Sequence, residues 1–435
     1  MPEEKFSNLI ESEKKFFKSV YATGTFTVDV VKKFFADTEK QFAELGYREN
    51  RTTEVENILV PLLDDVGDFV VAGPVLREIR RNYPAAHITL VVNKSVYPLA
   101  EFCPYVNEIL KFDVDNGILL EEEIFRCIDF AGEHLLKRHF TLSFCFQYFS
   151  HRQIYLSYFS GAKIRVGHLV DREYNLYSDG EIPAPVHIAN FLLTHPVIHP
   201  KEIFHDTDRS LYVLESVGLK IGATNTEIWY TGEDLFRAKK ISEGFAPGRI
   251  KIALGIGGKS HPGKIYPVSQ YLPALKKIIS KGAAVFIFGG ATETDDAKFL
   301  RENLPEEFAK NIVALKAGWR LTSALISLSD LYIGNDTGTA HIAVAAKLPV
   351  ITVICEAKSE EGDFGGGIRN FRRFFPRQTP AIVLRPEKYL DGCVKNFFVG
   401  GCSAPEPHCI KQIKPDEIVA AYDKMLDYIK KNKRA

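Results

Sequence analysis

Three carboxylates follow the first apolar run of the chain, in the stretch Asp64-Asp65-Val66-Gly67-Asp68. Acids at the end of a strand can bind a metal ion, act as a general base or cap the next helix. Helix capping is the commonest role of aspartate at a helix start, and it accounts for one of the three. Asp68 is the best catalytic candidate, because Gly67 lets the backbone turn tightly and bring this carboxylate to a cleft.

A second candidate is the sequence DTGTAH, which begins at Asp336 and separates two apolar runs. Its structural interpretation is a tight turn from strand to helix, with Gly338 supplying conformational freedom and Thr337 or Thr339 capping the helix. Its functional interpretation is an anion site, since the N–H groups at a helix start attract phosphate. His341 lies one turn into this helix, so this histidine and the aspartate can both face the end of the strand.

Two further stretches combine glycines with charged side chains. The stretch GIGGKSHPGKIYP contains Gly257, Gly258 and Lys264, and it offers close backbone approach together with a positive charge for phosphate. It matches neither the P-loop nor the G-x-G-x-x-G pattern, which disfavours a P-loop nucleotidase and a dinucleotide-binding dehydrogenase. The stretch FIFGGATETDD contains Glu293, whose carboxylate can accept hydrogen bonds from ribose hydroxyls, while the acids after it equally fit the first turn of a helix.

These candidates all follow segments that are predicted to be strands. Short apolar segments alternate with helical stretches, a pattern typical of a parallel sheet covered on both faces. Ligands of such sheets bind beyond the C-terminal ends of the strands, so the cleft between two halves is the expected site. The predicted strands are NILVPLL, HITLVVN, EILKF, TLSFCF and KIRVGH in the first half and KIALGIGG, AAVFIFGG, NIVAL, LYIGND and PVITVI in the second.

Three regions are therefore predicted: a helical extension over residues 1–54, a first domain over 55–235 and a second over 236–435. With 46% apolar and 25% charged residues, the chain can build two globular domains.

The net charge of the chain is zero, because its 55 basic and 55 acidic residues cancel, so no global electrostatic field favours nucleic acid. Neither a signal peptide nor a run of about 18 apolar residues is visible, and a cytoplasmic location is expected.

The extension carries an apolar helical stripe and contains the tetrad KKFF twice. A helix packed on the main body is favoured over contact with a membrane surface.

The seven cysteines, an odd number, fit reduced thiols better than a disulfide framework. Cys393, Cys402, His408 and Cys409 cluster near the C-terminus, but their spacing matches no common zinc pattern. A packed loop is therefore preferred, and no metal site is predicted.

In this order and at these separations, the stretches above resemble glycosyltransferase family 9, the heptosyltransferases that extend lipopolysaccharide core. The resemblance covers about residues 55 to 430 and leaves the extension unexplained. It implies an α/β structure of the GT-B type, with two Rossmann-like, doubly wound domains facing a cleft; we expect the last helix to pack back on the N-terminal domain. The stretches that carry it are ILVPLLDDVGDFVVAGPVLREIRRNYPAAHITLVV, KIYP, FGGATE and SDLYIGNDTGTAHIAVAAKLPVITV.

The resemblance also implies roles for individual residues. Asp68 matches the general base, Lys264 the lysine that contacts donor phosphate and Glu293 the ribose-binding glutamate. Trp319 lies where the family places an adenine-contacting side chain. The donor-binding turn is matched by Asp336, Thr337, Gly338, Thr339 and His341, with the glycines Gly257 and Gly258 beside it.

The implied reaction is an inverting, metal-independent transfer that needs no cofactor. The donor is a nucleotide sugar, with ADP-heptose as the leading candidate, and the acceptor is a lipopolysaccharide-core or related surface glycan. Where the family continues with a Gly-Pro-Thr loop, this chain has CEAKSEEGDFGGGIRNFRRFFPRQTP, so donor base and acceptor preference stay open. Its segment RNFRRFFPR is predicted either to approach an anionic lipid headgroup or acidic glycan, with peripheral contact at the inner membrane surface, or to pack its phenylalanines inward as a solvated loop.

Two other classes of function stay as alternatives. A non-catalytic glycan-binding or assembly protein would retain the transferase fold without its activity. An NAD-dependent oxidoreductase would require G-x-G-x-x-G after the first strand, whereas DDVGD offers a single glycine. The sequence makes no prediction of the oligomeric state.

Overall fold

The computed structural model contains two parallel sheets of six strands, one in each half of the chain. The structure describes residues 8–9, 11–16, 18, 28–44, 55–114, 120–146, 151–169, 189, 191–200, 202–245, 247–258, 265–288, 294–315, 317–358, 371–390 and 408–432. Within these ranges, no helix combines the length and the apolar character needed to cross a membrane.

The first sheet has the strand order β3-β2-β1-β4-β5-β6, and every neighbouring pair is parallel. The inner strand β1 (Asn57–Leu62) is apolar on both faces, and its residues Ile58, Leu59 and Val60 are fully buried. This burial is expected where helices cover both faces of a sheet. The strands are β1 Asn57–Leu62, β2 His87–Asn93, β3 Glu108–Phe112, β4 Leu142–Cys145, β5 Ile164–His168 and β6 His195–Val197.

The second sheet repeats this arrangement, in the order β12-β11-β10-β7-β8-β9 and again wholly parallel. Its strands are β7 Ile250–Gly255, β8 Ala283–Phe288, β9 Ile312–Leu315, β10 Leu331–Asn335, β11 Val350–Val353 and β12 Ala381–Leu384. The predicted α/β class with two doubly wound halves is confirmed. In each sheet the strand order changes direction beside the first strand, between β1 and β4 in the first half and between β7 and β10 in the second. A ligand crevice is expected at each of these two points.

Helices connect the strands in both halves. In the first part of the chain they are α1 Val28–Glu44, α2 Val66–Ala72, α3 Pro74–Asn82, α4 Tyr97–Ala100, α5 Leu120–Phe130, α6 His151–Phe159 and α7 Asp206–Glu215. In the second part they are α8 Gly232–Phe245, α9 Val268–Ser280, α10 Thr294–Glu302, α11 Glu306–Ala309, α12 Trp319–Ser327, α13 Gly338–Ala345 and α14 Pro415–Asn432.

The domain limits differ from expectation in two places. The predicted boundary at residue 235 falls inside α8, which packs on α12 of the second half. A boundary before α8 fits this packing better, because a helix moves as one unit. The last helix, α14, packs on α9, β11 and β12, and its buried face with Tyr422 belongs to the core of the second half. The expectation had placed this helix against the first half.

The extension packs on the first half through α1. Phe42 is fully buried, and its ring meets the Tyr158 ring edge-on at 5.7 Å between centroids. Glu39 Oε1 accepts a hydrogen bond from Nη2 of the buried Arg165 at 2.9 Å. Helix α1 therefore supplies both an apolar side chain and a counter-charge to the domain that it covers.

The cysteine cluster near the C-terminus falls partly outside the described residues, since Cys393 and Cys402 lie there. In the described part, His408 Nε2 lies 3.9 Å from Cys409 Sγ, and this sulfur accepts a hydrogen bond from Leu390 N.

Candidate active site

The turn after β10 leads directly into α13. Thr337 has an extended backbone and precedes the first helical residue, Gly338, but its side chain does not cap the helix. Its hydroxyl lies 3.1 Å from Thr339 Oγ1 instead. The predicted strand-to-helix turn is present, whereas the predicted threonine cap is replaced by a hydroxyl pair.

Two glycines bring the two halves into contact. A Cβ on Gly338 would lie 2.9 Å from Val66 Cγ1, and a Cβ on Gly67 would lie 2.9 Å from His341 Cδ2. Both glycines belong to helices and neither has a left-handed backbone. The explanation by conformational freedom is therefore wrong for both, because what each position requires is the absence of a side chain.

This contact places the start of α2 against the start of α13. Asp68 lies in the first turn of α2, one residue after the contact glycine, and its side chain is partly exposed. Asp336 and His341 lie on the other side of the contact, with Asp336 Oδ1 3.6 Å from His341 Nε2. The structure thus brings the predicted base and the predicted donor-binding turn to one place.

The glycine turn after β7 packs against the turn after β10. Gly258 has φ = 133°, a conformation that favours glycine, and a Cβ there would lie 3.4 Å from Thr337 Cγ2. Gly257 precedes it in the same turn. Lys264 and Glu293 lie outside the described residues, so their predicted roles stay predictions.

Trp319 begins α12, and its partly buried ring packs against a hydrophobic core that contains residues of both halves, such as Phe69 and Tyr332. The next residue reaches the first half: Arg320 Nη1 donates to Glu101 Oε2 at 2.5 Å, and its guanidinium lies 4.9 Å from the Phe102 ring centroid. Helix α12 also packs beside α13, so the start of α12 borders the same inter-half region.

The sequence did not single out Tyr332, which packs beneath the turn that follows β10. Its phenol is fully buried and lies 2.9 Å from Thr339 Oγ1, and it donates a longer hydrogen bond of 3.3 Å to Asn335 O. A Cβ on Gly255 or on Gly334 would lie 2.1 or 2.6 Å from the Tyr332 hydroxyl. Two strand-end glycines therefore make room for this phenol, a relation between adjacent strands that no single stretch of sequence reveals.

The acidic turn before α2 is electrostatically crowded. The pKa of Asp64 is raised well above its ordinary value, first because the carboxyl is buried and then because the charges of Asp68 and Asp65 lie nearby. Asp64 therefore keeps its proton to a higher pH than an ordinary aspartate. Asp65 occupies the position before the first helical residue, but its side chain makes no capping hydrogen bond.

A strap formed by residues 373–377 joins the second half to α7 of the first. Arg373 donates to both carboxylate oxygens of Asp206, at 2.9 and 2.5 Å, and Arg377 donates to both oxygens of Asp208, at 2.5 and 2.8 Å. Burial is the largest single influence and raises the pKa of Asp206, but the charge and hydrogen bond of Arg373, together with the charges of Arg209 and His205, outweigh burial and lower this pKa.

The strap also reaches helix α13, since the Phe374 ring lies 5.7 Å from the His341 ring between centroids. Phe374 packs inward, as the second predicted role of the RNFRRFFPR segment expects, and the predicted contact with a headgroup or acidic glycan stays a prediction. What the sequence did not predict is that Arg373 and Arg377 of this segment bind aspartates of the other half, while the Arg372 guanidinium lies over the Phe204 ring.

Among the residues that the structure describes, no three His, Cys, Asp or Glu side chains are grouped so as to hold a metal ion.

Comparison with known proteins agrees with this architecture. Residues 190–361 match the model of glycosyltransferase family 9 (heptosyltransferase). Lipooligosaccharide heptosyltransferase 2 of Haemophilus influenzae is 32% identical over 99 residues, a match that spans 22% of this chain and 29% of that protein. Lipooligosaccharide heptosyltransferase 2 of Haemophilus ducreyi is 22% identical over 373 residues, covering 83% of this chain and 97% of that protein.

The solved structure of ADP-heptose LPS heptosyltransferase II from E. coli superposes with a TM-score of 0.63 at 16% identity, covering 87% of this chain and all of that one (100%). At this identity the likeness shows the fold alone. Over residues 190–361 this chain is therefore similar to glycosyltransferase family 9, and it shares its overall fold with the heptosyltransferase structure from E. coli.

Proposed function

We propose that the protein is an inverting, metal-independent glycosyltransferase that moves heptose from ADP-heptose onto a lipopolysaccharide-core or related surface glycan. The observation that carries the proposal is the contact between the starts of α2 and α13, seen at Gly67 with His341 and at Gly338 with Val66. This contact supports the proposal because Asp68 lies one residue from it, next to a helix start whose N–H groups can attract an anion. The names of the Haemophilus relatives support heptose as the sugar and a lipooligosaccharide-type acceptor.

The proposed chemistry begins at the acceptor. A sugar hydroxyl is a weak nucleophile, so Asp68 removes its proton as the oxygen attacks the anomeric carbon. Attack occurs from the side opposite the diphosphate, and the anomeric configuration is inverted. The transition state has oxocarbenium character, which a nearby carboxylate also stabilises.

The leaving group needs a second set of side chains and N–H groups that stabilise its charge. The departing diphosphate gains negative charge, and the N–H groups at the start of α13 are oriented toward such a charge. Lys264, carried over from the resemblance, adds a positive charge. In this scheme preorganised donors stabilise the charge, no divalent ion takes part and the nucleotide sugar is the only co-substrate. The protein would act from the cytoplasm on a glycolipid acceptor at the inner membrane surface.

The donor is tested first by measuring thermal stabilisation with ADP, UDP, GDP and CMP. A ligand that binds only the folded state raises the unfolding temperature by mass action, so ADP alone should stabilise the protein. Stabilisation by another nucleotide would replace the proposed donor, and no response to any of them would contradict the proposed function.

The base is tested with Asp68→Asn in a transfer assay with ADP-heptose and a lipopolysaccharide-core acceptor. Loss of a general base should lower the transfer rate by about 10²- to 10⁴-fold while ADP affinity stays near that of the wild type. Asp65→Asn is the matched control, since Asp65 is an exposed neighbour of the same charge. Wild-type transfer by Asp68→Asn would remove this residue from the role, and inhibition by a chelator would contradict metal independence.

A further inference from the structure

Asn335, the last residue of β10, lies at the junction of three segments and is fully buried. Its side-chain oxygen accepts hydrogen bonds from Tyr271 OH at 3.0 Å and from Tyr266 N at 3.3 Å. Its side-chain nitrogen donates to Ile256 O at 3.2 Å and to Gly257 O at 3.0 Å. Both donors and both lone pairs of the amide are thereby used.

The two bonds to the glycine turn fix the orientation of two successive peptide groups. In a trans peptide the N–H points opposite to the C=O. Because the carbonyls of Ile256 and Gly257 face Asn335, the N–H groups of Gly257 and Gly258 face away from it. Successive N–H groups directed to one side form an anion-binding concavity.

The location of this concavity links it to the proposed donor site. Gly258 has φ = 133° and lies against Thr337 of the turn after β10. That turn directly follows Asn335 in the chain, so one side chain is tied to both turns. A purely structural role would need only that Asn335 hold the two strand ends together.

We propose that Asn335 is a positioning residue, which orients the Gly257 and Gly258 N–H groups to bind the diphosphate of the nucleotide-sugar donor. The inference rests on the proposed function. It explains how the turn after β7 would recognise the diphosphate of the donor.

The substitution Asn335→Asp tests the orientation with almost no change of shape. A carboxylate keeps the acceptor role toward the two tyrosines but places a negative oxygen against two carbonyl oxygens. The repulsion should turn these peptides and remove their N–H groups from the ligand. Tyr271→Phe is the matched control, because it breaks one bond to the same amide and leaves both bonds to the glycine turn intact.

The measurement is the affinity of each purified variant for ADP and for adenosine by calorimetry. Asn335→Asp should weaken ADP binding by about tenfold or more and adenosine binding by about threefold or less, since the loss concerns the charged group. Tyr271→Phe should leave the ratio of the two affinities at the wild-type value even if its unfolding temperature falls. Equal weakening of both ligands by Asn335→Asp would overturn the inference and indicate a structural role.

Protonation supplies a second readout. A protonated aspartate can again donate a hydrogen bond to one carbonyl, so lowering the pH from about 8 to about 6 should partly restore ADP affinity in Asn335→Asp relative to the wild type. If Asn335→Asp does not fold, Gly258→Ala replaces it, because alanine disfavours φ = 133° and should produce the same selective loss of ADP binding. Unchanged ADP selectivity in Gly258→Ala would overturn the inference.

Nucleotide binding by the wild-type protein distinguishes a failure of this inference from a failure of the proposed function. If it binds UDP but not ADP, the proposed donor falls, and the same comparison is made with UDP and uridine. If it binds none of the four nucleotides, the proposed function and the inference fall together. If it binds ADP and only the Asn335→Asp result fails, the proposed function stands without the inference.

Discussion

At the scale of single residues, Gly338 was correctly predicted to matter, but the physical reason given for it, conformational freedom, was wrong. A glycine after a strand suggests a left-handed turn, yet this residue begins a helix. Glycine is required at this position because Val66 of the other half lies beside it, and a Cβ on residue 338 would be only 2.9 Å from Val66 Cγ1. Local patterns predict backbone conformation, but they cannot reveal which distant side chain fills the space beside a residue.

We expect Gly338→Ala to separate the two helix starts. A displacement of about 1 Å between reacting groups can cost about 100-fold in rate, so transfer should fall by at least about tenfold. Overpacking should lower the free energy of unfolding by about 1–3 kcal/mol. Gly244→Ala is the control: Gly244 lies in α8 with open space around it, and alanine there should stabilise the fold by about 0.4–1 kcal/mol or leave it unchanged. Wild-type transfer and stability in Gly338→Ala would contradict the contact.

We expect three histidines near α7 to make the free energy of unfolding sensitive to acid. Burial lowers the pKa of His168 to about 3, and burial followed by nearby arginine charge lowers the pKa of His199 and of His205 to about 4. The unfolded chain takes up these protons below about pH 6.5, whereas the folded protein does not. Their stabilising contribution is therefore complete above about pH 6.5 and is lost as the pH falls toward 4. The lowered pKa of Asp206 acts in the same direction, and the raised pKa of Asp64 opposes it.

Urea unfolding at pH 7, 6 and 5 measures this effect. The free energy of unfolding should fall over this interval, by up to about 2 kcal/mol for each of the three histidines. His168→Gln should show a smaller fall than the wild type, because one of the three proton sites is gone. A free energy of unfolding that does not change between pH 7 and pH 5 would contradict the neutral, buried histidines.

At the scale of elements, the sequence predicts every inner strand of both sheets but only two of the four edge strands, β3 and β9. The inner strand β2 and the edge strand β3 were both predicted with their observed limits, because short apolar runs between turn residues have few other solutions. The edge strands β6 and β12 were missed. The first has three residues including Pro196, and the second is a run of only four apolar residues that lies between prolines, where a loop is the more common interpretation.

The extension is an element whose amphipathic pattern was recognised but whose partner was not. Arg165 of β5 is buried and binds Glu39 of α1, so the accessory helix neutralises a charge inside the main body. Glu39→Ala should lower the free energy of unfolding by about 1–3 kcal/mol, because removing one partner leaves a buried charge poorly compensated. Asp37→Ala is the control: Asp37 forms an exposed pair with Lys40 on the same helix and should change stability by less than about 1 kcal/mol. An equal effect of both variants, measured by denaturant unfolding, would contradict a specific role for Glu39.

At the scale of the whole molecule, the order and spacing of motifs predicted two doubly wound halves and a site between them. The candidate base and the donor-side turn were predicted to share that site because both follow strand ends. The strap at residues 373–377 was not predicted, since its meaning depends on α7 of the other half. A basic aromatic stretch has many partners in principle, and only the tertiary structure identifies the aspartates that bind it.

The strap should couple the two halves through Arg373 and Asp206. Both oxygens of Asp206 bind the buried guanidinium of Arg373, and the adjacent Phe374 packs on His341, so loss of this pair should reach the site as well as the interface. A double-mutant cycle of Arg373→Ala and Asp206→Ala should give a coupling of about 1–3 kcal/mol in unfolding, and each single variant should lower transfer.

The second pair provides the comparison. Arg377 and Asp208 are more exposed, with 28% and 40% of their side chains accessible against 8% and 19% for Arg373 and Asp206. Solvent screens such a pair, so the Arg377→Ala and Asp208→Ala cycle should give less than about 1 kcal/mol. Additive effects of Arg373→Ala and Asp206→Ala would mean that these residues act independently in solution. A coupling confined to the inner pair would instead establish that the buried contact, next to the donor-side turn, joins the halves.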